Sequence, residues 1–258
     1  MFGLFCILAL AGDLTAGLQA YDKDEYKTAI EEFASLAGQG DRHAQFYLGN
    51  MYAEGRGVPQ DFKEAVKWYR RAADQGESRA QSNLGVMCAE GQGVPQDFKE
   101  AMKWYRLAAE EGLPISQYNL GNMYRDGHGI PPDYKEAVKW YRLAADQGLP
   151  MAQSNLGGMY AEGRGVPQDF KEAVKWYRRA ADQGLSTAQF NLGVTYEMGR
   201  GVPRDNVLAH MWYTLAGATG FAGGIVNRDV IAQMMTPPQI AEAQRLAREW
   251  KPKAQGGR

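Results

Sequence analysis

The amino-acid sequence predicts an all-α protein, a solenoid of helix-turn-helix repeats, and three observations carry that expectation. The twenty-four residues AEGRGVPQDFKEAVKWYRRAADQG stand at 53–76 and again, unchanged, at 161–184. Trp68, Trp104, Trp140, Trp176 and Trp212 follow one another at intervals of 36 residues, so the two identical stretches lie three periods of one repeat apart. Every repeated segment has a helical apolar period bounded by helix-stopping residues. A fixed period of this size marks an array of stacked supersecondary units, none of which can bury its apolar face alone. A catalytic motif duplicated in two domains would not yield five evenly spaced copies.

The elements follow in chain order. Phe2 to Leu10 is an apolar run, interrupted only by Gly3 and ending in the small-residue pattern Ala9-Leu10-Ala11. It is too short to span a bilayer. It fits the hydrophobic region and cleavage site of a signal peptide, although no Lys or Arg precedes it. Residues 1–11 are therefore read as the remnant of an export signal, which makes the protein periplasmic or secreted. The alternative is an apolar helical turn packed on the first repeat of a cytoplasmic protein. Residues 12–40 keep Ala29, Phe33 and Ala37 in register with Ala65, Tyr69 and Ala73 of the repeat but lack its Gly-Pro loop and tryptophan. They are expected to form an N-terminal capping helix pair.

Five repeats are expected over 41–220, at 41–76, 77–112, 113–148, 149–184 and 185–220. In the first, Ala44, Leu48, Gly49 and Tyr52 gather on one side of a helix, and EGRGVPQD then breaks the helical period with two glycines and a proline. Asp61 and Glu64 have the spacing of an N-cap and its reciprocal partner, so a second helix starts there. Phe62, Ala65, Val66, Tyr69, Ala72 and Ala73 form its apolar stripe, and Gly76 stops it. Gly49, Gly85, Gly121, Gly157 and Gly193 recur inside the first helices. Each costs about 0.8–1 kcal/mol relative to alanine, and a close approach of helix backbones is the expected return. The tryptophans flank the stripe, where they can cover a seam between units.

Beyond the repeats, residues 221–252 are expected to hold C-terminal capping helices. TPPQIAEAQRLAREW places Thr236 and Gln239 at capping-box spacing and Pro237 at the first helical position. Residues 253–258 are read as a disordered tail.

Charge and composition exclude several function classes. With 29 Lys and Arg against 30 Asp and Glu, interleaved within every repeat, the chain has no basic footprint for nucleic acid. No segment is long and apolar enough for an integral membrane span. Two cysteines, Cys6 and Cys88, exclude a disulfide framework and a zinc site built on paired Cys ligands. His43, His128 and His210 fall in three different phases of the repeat, so the period brings no two together. H-E-x-x-H, G-K-[ST], G-x-S-x-G and S-x-x-K are all absent. No catalytic, metal or cofactor-binding residues are assigned, and no cofactor is expected.

The pattern A-Q-x-x-L-G-x-M-Y-x-x-G-x-G-V-P-x-D-x-x-x-A-x-x-W-Y-x-x-A-A-x-x-G, shared by the five copies with few exceptions, resembles the Sel1-like repeat, a relative of the tetratricopeptide repeat. The resemblance implies a right-handed α-solenoid whose first helices line a concave surface, and a protein of the adaptor or scaffold kind. Cysteine-rich relatives linked to β-lactam binding suggest the alternative of a cell-envelope β-lactam-binding protein or hydrolase, but the regular cysteine pairs of those relatives are missing here. The fifth repeat departs from the pattern at Asn206 and Gly217.

Partner-binding residues are sought where the copies differ. On the first helices the variable positions are His43, Arg79, Ile115, Met151 and Thr187; Phe46, Ser82, Tyr118, Ser154 and Phe190; and Asn50, Val86, Asn122, Gly158 and Val194. Spacings of three and four put them on one face. Exposed aromatic and methionine side chains on such a strip are enriched where proteins bind. Beside it runs the column Tyr47, Asn83, Asn119, Asn155 and Asn191, whose amides can bond an extended peptide or, equally, the neighbouring repeat. The candidate site is therefore His43, Phe46, Tyr47, Asn50, Arg79, Asn83, Tyr118, Asn119, Asn122, Met151, Asn155, Phe190 and Asn191. The expected function is a non-enzymatic scaffold, read as a monomer, that holds a protein or peptide segment in the groove.

Overall fold

The computed structural model describes residues 14–253, and among them every regular element is a helix. In chain order these are α1 (Leu14–Asp22), α2 (Tyr26–Gly38), α3 (Arg42–Glu54), α4 (Phe62–Asp74), α5 (Ser78–Glu90), α6 (Phe98–Glu110), α7 (Pro114–Asp126), α8 (Tyr134–Asp146), α9 (Pro150–Glu162), α10 (Phe170–Asp182), α11 (Ser186–Met198), α12 (Asn206–Ala218), α13 (Ala222–Ala232) and α14 (Pro237–Glu249). Helices α3 to α12 are the five repeated hairpins. The apolar run Phe2–Leu10 lies outside the described residues.

Each hairpin is fixed by local chemistry that the repeat spells out. First helices such as α3 end where Gly55 takes the left-handed conformation (φ 69°), the backbone state that glycine adopts without a Cβ penalty. The second helices start at an aspartate: Asp61 Oδ1 accepts from the backbone N–H groups of Lys63 and Glu64 at 2.9 and 3.2 Å, and Asp97, Asp133, Asp169 and Asp205 do the same. The reciprocal half of the expected capping box is absent here, because Glu64 instead pairs with Lys67 one turn on. At α14 the backbone N–H of Thr236 does donate to Gln239 Oε1, at 2.8 Å.

The recurrent first-helix glycines have a different partner from the one expected. A Cβ built on Gly121 would stand 2.7 Å from Cδ1 and Cε1 of Tyr141, and Gly49, Gly85, Gly157 and Gly193 meet Tyr69, Tyr105, Tyr177 and Tyr213 in the same way. The glycine thus seats the ring of its own second helix, and at Gly157 the Ala173 backbone carbonyl oxygen also stands 3.2 Å from where the Cβ would be. Helix backbones come closer between α12 and α13, where a Cβ on Gly224 would stand 2.7 Å from the Gly217 nitrogen. Gly217, one of the two residues at which the fifth repeat leaves the pattern, lies at this contact, and a Cβ on it would stand 3.0 Å from Ile225 Cγ1 and 3.3 Å from the Ile225 nitrogen.

Successive hairpins are joined by two devices. A Cβ on Gly165, the second loop glycine of the fourth repeat, would stand 2.2 Å from the Tyr134 carbonyl oxygen at the start of α8, so this loop abuts the preceding second helix directly. The buried glutamine of each Ala-Gln pair then caps the helix before it. Gln45, Gln81 and Gln153 donate to the carbonyls of Ala37, Ala73 and Ala145 at 3.1–3.2 Å. Helix-terminal carbonyls lack an intrahelical partner, and these amides supply one across the repeat boundary.

The helices form two compact units. The first runs to Ser116 and includes His128–Ile130; the second comprises Gln117–Gly127 and Pro131 onward. Phe33, Leu48 and Met51 are buried in the first. In the second, Leu192, Tyr213 and Ile231 are fully buried, with Ala243 of α14 beside them. Trp250, after α14, lies edge-on to Trp212 at 6.3 Å. Lys253, expected in a disordered tail, is held to Asp182 of α10 by its ammonium (2.8 Å) and its backbone N–H (2.7 Å).

Candidate functional site

The predicted strip of first-helix residues falls into two sets, one in each unit. In the first unit, α3 and α5 bring His43, Phe46, Tyr47 and Arg79 around Glu77, a carboxylate only 5% exposed. Glu77 Oε2 lies 2.6 Å from His43 Nδ1, and Oε1 lies 2.8 Å from Arg79 Nε. Burial pushes the Glu77 carboxyl up, but the hydrogen bond and charge of Arg79, with His43 behind them, bring it below the ordinary carboxylate range. The Arg79 guanidinium covers the Phe46 ring at 4.4 Å.

Phe46 is 7% exposed, packed between Tyr47 and Tyr69. The expected exposed aromatic strip therefore fails at this residue. The reason is register: the position of Phe46, Ser82, Tyr118, Ser154 and Phe190 lies three residues before the seating glycine, so its side chain reaches the same tyrosine ring. Ser82 and Ser154 are buried as well. Tyr118 and Phe190 remain half-buried, packed on Tyr141 at 6.0 Å and Tyr213 at 5.7 Å, with Phe221 at 5.3 Å from Phe190.

The asparagines make a specific network. Asn50 Oδ1 accepts from Tyr69 OH at 2.7 Å and from Asn83 Nδ2 at 3.2 Å. Asn122 Oδ1 accepts from Tyr141 OH at 2.6 Å and from Asn155 Nδ2 at 3.2 Å. Of the two roles open to these amides, Asn83 and Asn155 take the inter-repeat one. Asn119 and Asn191 are half-buried, and neither faces this arrangement in sequence, because Val86 and Gly158 stand where the acceptor asparagine would be.

In the second unit the first helices border a cavity of about 630 Å³. Four predicted residues line it: Tyr118, Met151, Asn155 and Asn191. Gly158, Glu162, Arg164, Tyr177, Leu185 and Thr187 complete most of the wall. Arg125 also borders it and is held by a bidentate pair with Asp126 at 2.7 and 2.8 Å, while Arg164 pairs with Glu162 at 2.9 Å. The lining is consequently near charge balance, with Met151 and Leu185 as apolar contacts. Tyr177 is the fourth-repeat counterpart of Tyr69, which the sequence places in the packing stripe. Its ring does pack on Gly157, but its hydroxyl reaches the cavity, 3.7 Å from where a Gly158 Cβ would stand. The signal available in the sequence was Gly158 itself, the one position of its column without a side chain.

Cys88 is buried and burial pushes its thiol up to about 11, which suppresses the nucleophilic thiolate at neutral pH. His128 stacks on Phe98 at 4.7 Å, and His210 is 3% exposed with its pKa lowered by burial. Among the described residues no three His, Cys, Asp or Glu side chains are grouped to hold a metal, and no helix is long and apolar enough to cross a membrane.

The Sel1 repeat profile matches residues 42–77, 78–113, 114–149, 150–185 and 186–220. Among solved structures, a Sel1 repeat protein from Oxalobacter formigenes is 30% identical with a TM-score of 0.82, covering 96% of this chain and 100% of that one. A Sel1 repeat protein from Klebsiella pneumoniae is 22% identical over 79% of this chain and 99% of that one, with a TM-score of 0.50. The protective antigen c5321 of uropathogenic Escherichia coli is 28% identical over 92% of this chain and 67% of that one, with a TM-score of 0.46. No curated protein matches the chain.

Proposed function

Because the chain belongs to the Sel1 repeat family, we propose that it is a non-enzymatic scaffold that holds an extended segment of a partner protein against the first-helix face of its second unit. The observation that carries this reading is the cavity walled by α7, α9 and α11. It combines apolar contacts, tyrosine and threonine hydroxyls and an asparagine amide with balanced charge, the mixture a peptide requires. Met151, 38% exposed at its rim, supplies an adaptable apolar anchor. No observation favours the β-lactam alternative.

Panning a displayed library of random peptides on the purified protein tests the reading. Selected peptides should lose tenfold or more in affinity, about 1.4 kcal/mol, on the double variant Met151→Glu, Thr187→Glu. They should bind the triple variant Lys63→Ala, Lys99→Ala, Lys171→Ala as they bind the parent, because those lysines are exposed on second helices. Peptides that bind the glutamate variant undiminished would place the partner on another surface and overturn the reading.

A further inference from the structure

The molecule contains its own template for what enters this cavity. In the first and third repeats, one carboxamide oxygen collects two donors: Asn50 takes the Tyr69 hydroxyl and the Asn83 amide, and Asn122 takes the Tyr141 hydroxyl and the Asn155 amide. Around the fourth repeat both donors are retained at the equivalent places, Tyr177 within it and Asn191 in the fifth: Tyr177 follows Gly158 by 19 residues and Asn191 follows it by 33, as Tyr69 and Asn83 follow Asn50. What the fourth repeat lacks is the acceptor. Asn50, Val86, Asn122, Gly158 and Val194 occupy the aligned position, and only glycine leaves it open.

Both donors border the cavity, and neither makes a hydrogen bond among the described residues, whereas Tyr213, where valine stands at the position, turns to Glu197 Oε2 at 2.5 Å. The space beside Gly158 is real: the nearest atom to an added Cβ is the Tyr177 hydroxyl, at 3.7 Å.

We infer that the opening at Gly158 is a subsite for the side-chain carboxamide of a partner's asparagine or glutamine, whose oxygen accepts from Tyr177 OH and Asn191 Nδ2 as Asn122 does in the neighbouring repeat. A carboxylate is disfavoured. Arg125 and Arg164 are already committed to Asp126 and Glu162, and the Glu162 carboxylate on the wall repels a second one. A backbone carbonyl is disfavoured by depth, because Tyr177 is 6% exposed and its ring lies over Gly157, so its hydroxyl is reached by a pendant group entering where the missing side chain would lie. The inference rests on the proposed binding face and specifies what is read there.

The test uses two small probes, N-acetyl-asparagine N-methylamide and N-acetyl-aspartate N-methylamide, with the Asn191 side-chain amide observed by ¹H–¹⁵N NMR on the full chain. The capped asparagine should move that cross-peak and saturate in the millimolar range, and the capped aspartate should not. Gly158→Asn should abolish the response by supplying the carboxamide from within the chain, and Gly158→Ala should weaken it, because its methyl intrudes on the space through which the probe's carboxamide enters. Circular dichroism of both variants should match the parent, since the site has room. A cross-peak unmoved by the asparagine probe, one moved equally by the aspartate probe, or a Gly158→Asn variant that responds like the parent would overturn the inference. Selected peptides that bind the face without asparagine or glutamine would sink the subsite and leave the scaffold reading standing; a carboxamide response without peptide binding would do the reverse.

Discussion

Two glycines 37 residues apart on equivalent first helices should respond to the same substitution with opposite sign. Gly121 and Gly158 both lie inside helices, α7 and α9, so replacing either by alanine recovers about 0.8–1 kcal/mol of helix propensity. At Gly158 nothing opposes that gain, because the added methyl meets only the Tyr177 hydroxyl at an ordinary 3.7 Å. Gly158→Ala should therefore stabilise by about 1 kcal/mol, equivalent to roughly 2–4 °C in a chain of this size. At Gly121 the methyl would sit 2.7 Å from two ring carbons of Tyr141, a side chain with no exposed surface and a hydroxyl tied to Asn122. The ring cannot tilt away without breaking that bond or displacing α8. Overpacking of this kind costs about 1–3 kcal/mol, so the net effect of Gly121→Ala lies between neutrality and about 2 kcal/mol of destabilisation, and Gly121→Leu should cost more. The assay is thermal unfolding followed by circular dichroism at 222 nm, with urea melts to confirm an unchanged slope. A Gly121→Ala protein that melts as high as Gly158→Ala would refute the view that these glycines exist to seat the tyrosine ring.

Two further outcomes follow from the same packing. Phe46→Ala should destabilise the first unit by about 3–5 kcal/mol, visible as an early transition in the melt; a variant with the parent's melt would restore Phe46 to the exposed surface. The buried second-helix tyrosines should make the protein sensitive to alkali. Burial raises the hydroxyls of Tyr69, Tyr105, Tyr141 and Tyr213, and that of Tyr177 to about 12. An acid whose folded pKa is raised holds its proton longer in the fold than in the unfolded chain, so its contribution is complete below the unfolded value near 10 and is lost as pH rises toward the folded value. Absorbance at 295 nm should show these tyrosines ionising late and together with loss of helicity, whereas simple titration near pH 10 with helicity intact would contradict their burial.

Much of this molecule is legible without coordinates because the repeat is its own alignment. The capping aspartates, the loop glycines and the apolar stripes each act within a few residues of where they stand, so spacing alone locates helices to within a residue or two: α4 begins at Phe62, directly after its predicted N-cap Asp61. The buried glutamines were equally repeated but unread, since their partner is a carbonyl of the preceding helix and no local spacing announces it.

The candidate site was legible only in part. Variation between copies marked Tyr118 and Met151, and the repeated asparagine column marked Asn155 and Asn191, all of which border the cavity, but variation also marked Phe46, which is buried. Variability records where side chains are free to differ. It does not record which way each side chain points.

Sequence by itself determined the helical class, the period of 36 and the absence of any motif for covalent or metal chemistry, because these depend on local propensity and on residue types the chain contains. Only the tertiary structure decided what the repeated and varied positions do to one another. The five glycines could have served a backbone crossing or a ring, and the asparagines could have faced a ligand or a neighbouring repeat. The choice between such partners is made by distances across helices that lie 19 or 33 residues apart in the chain, where hydrogen bonds and steric contact act through space and leave no trace in local spacing.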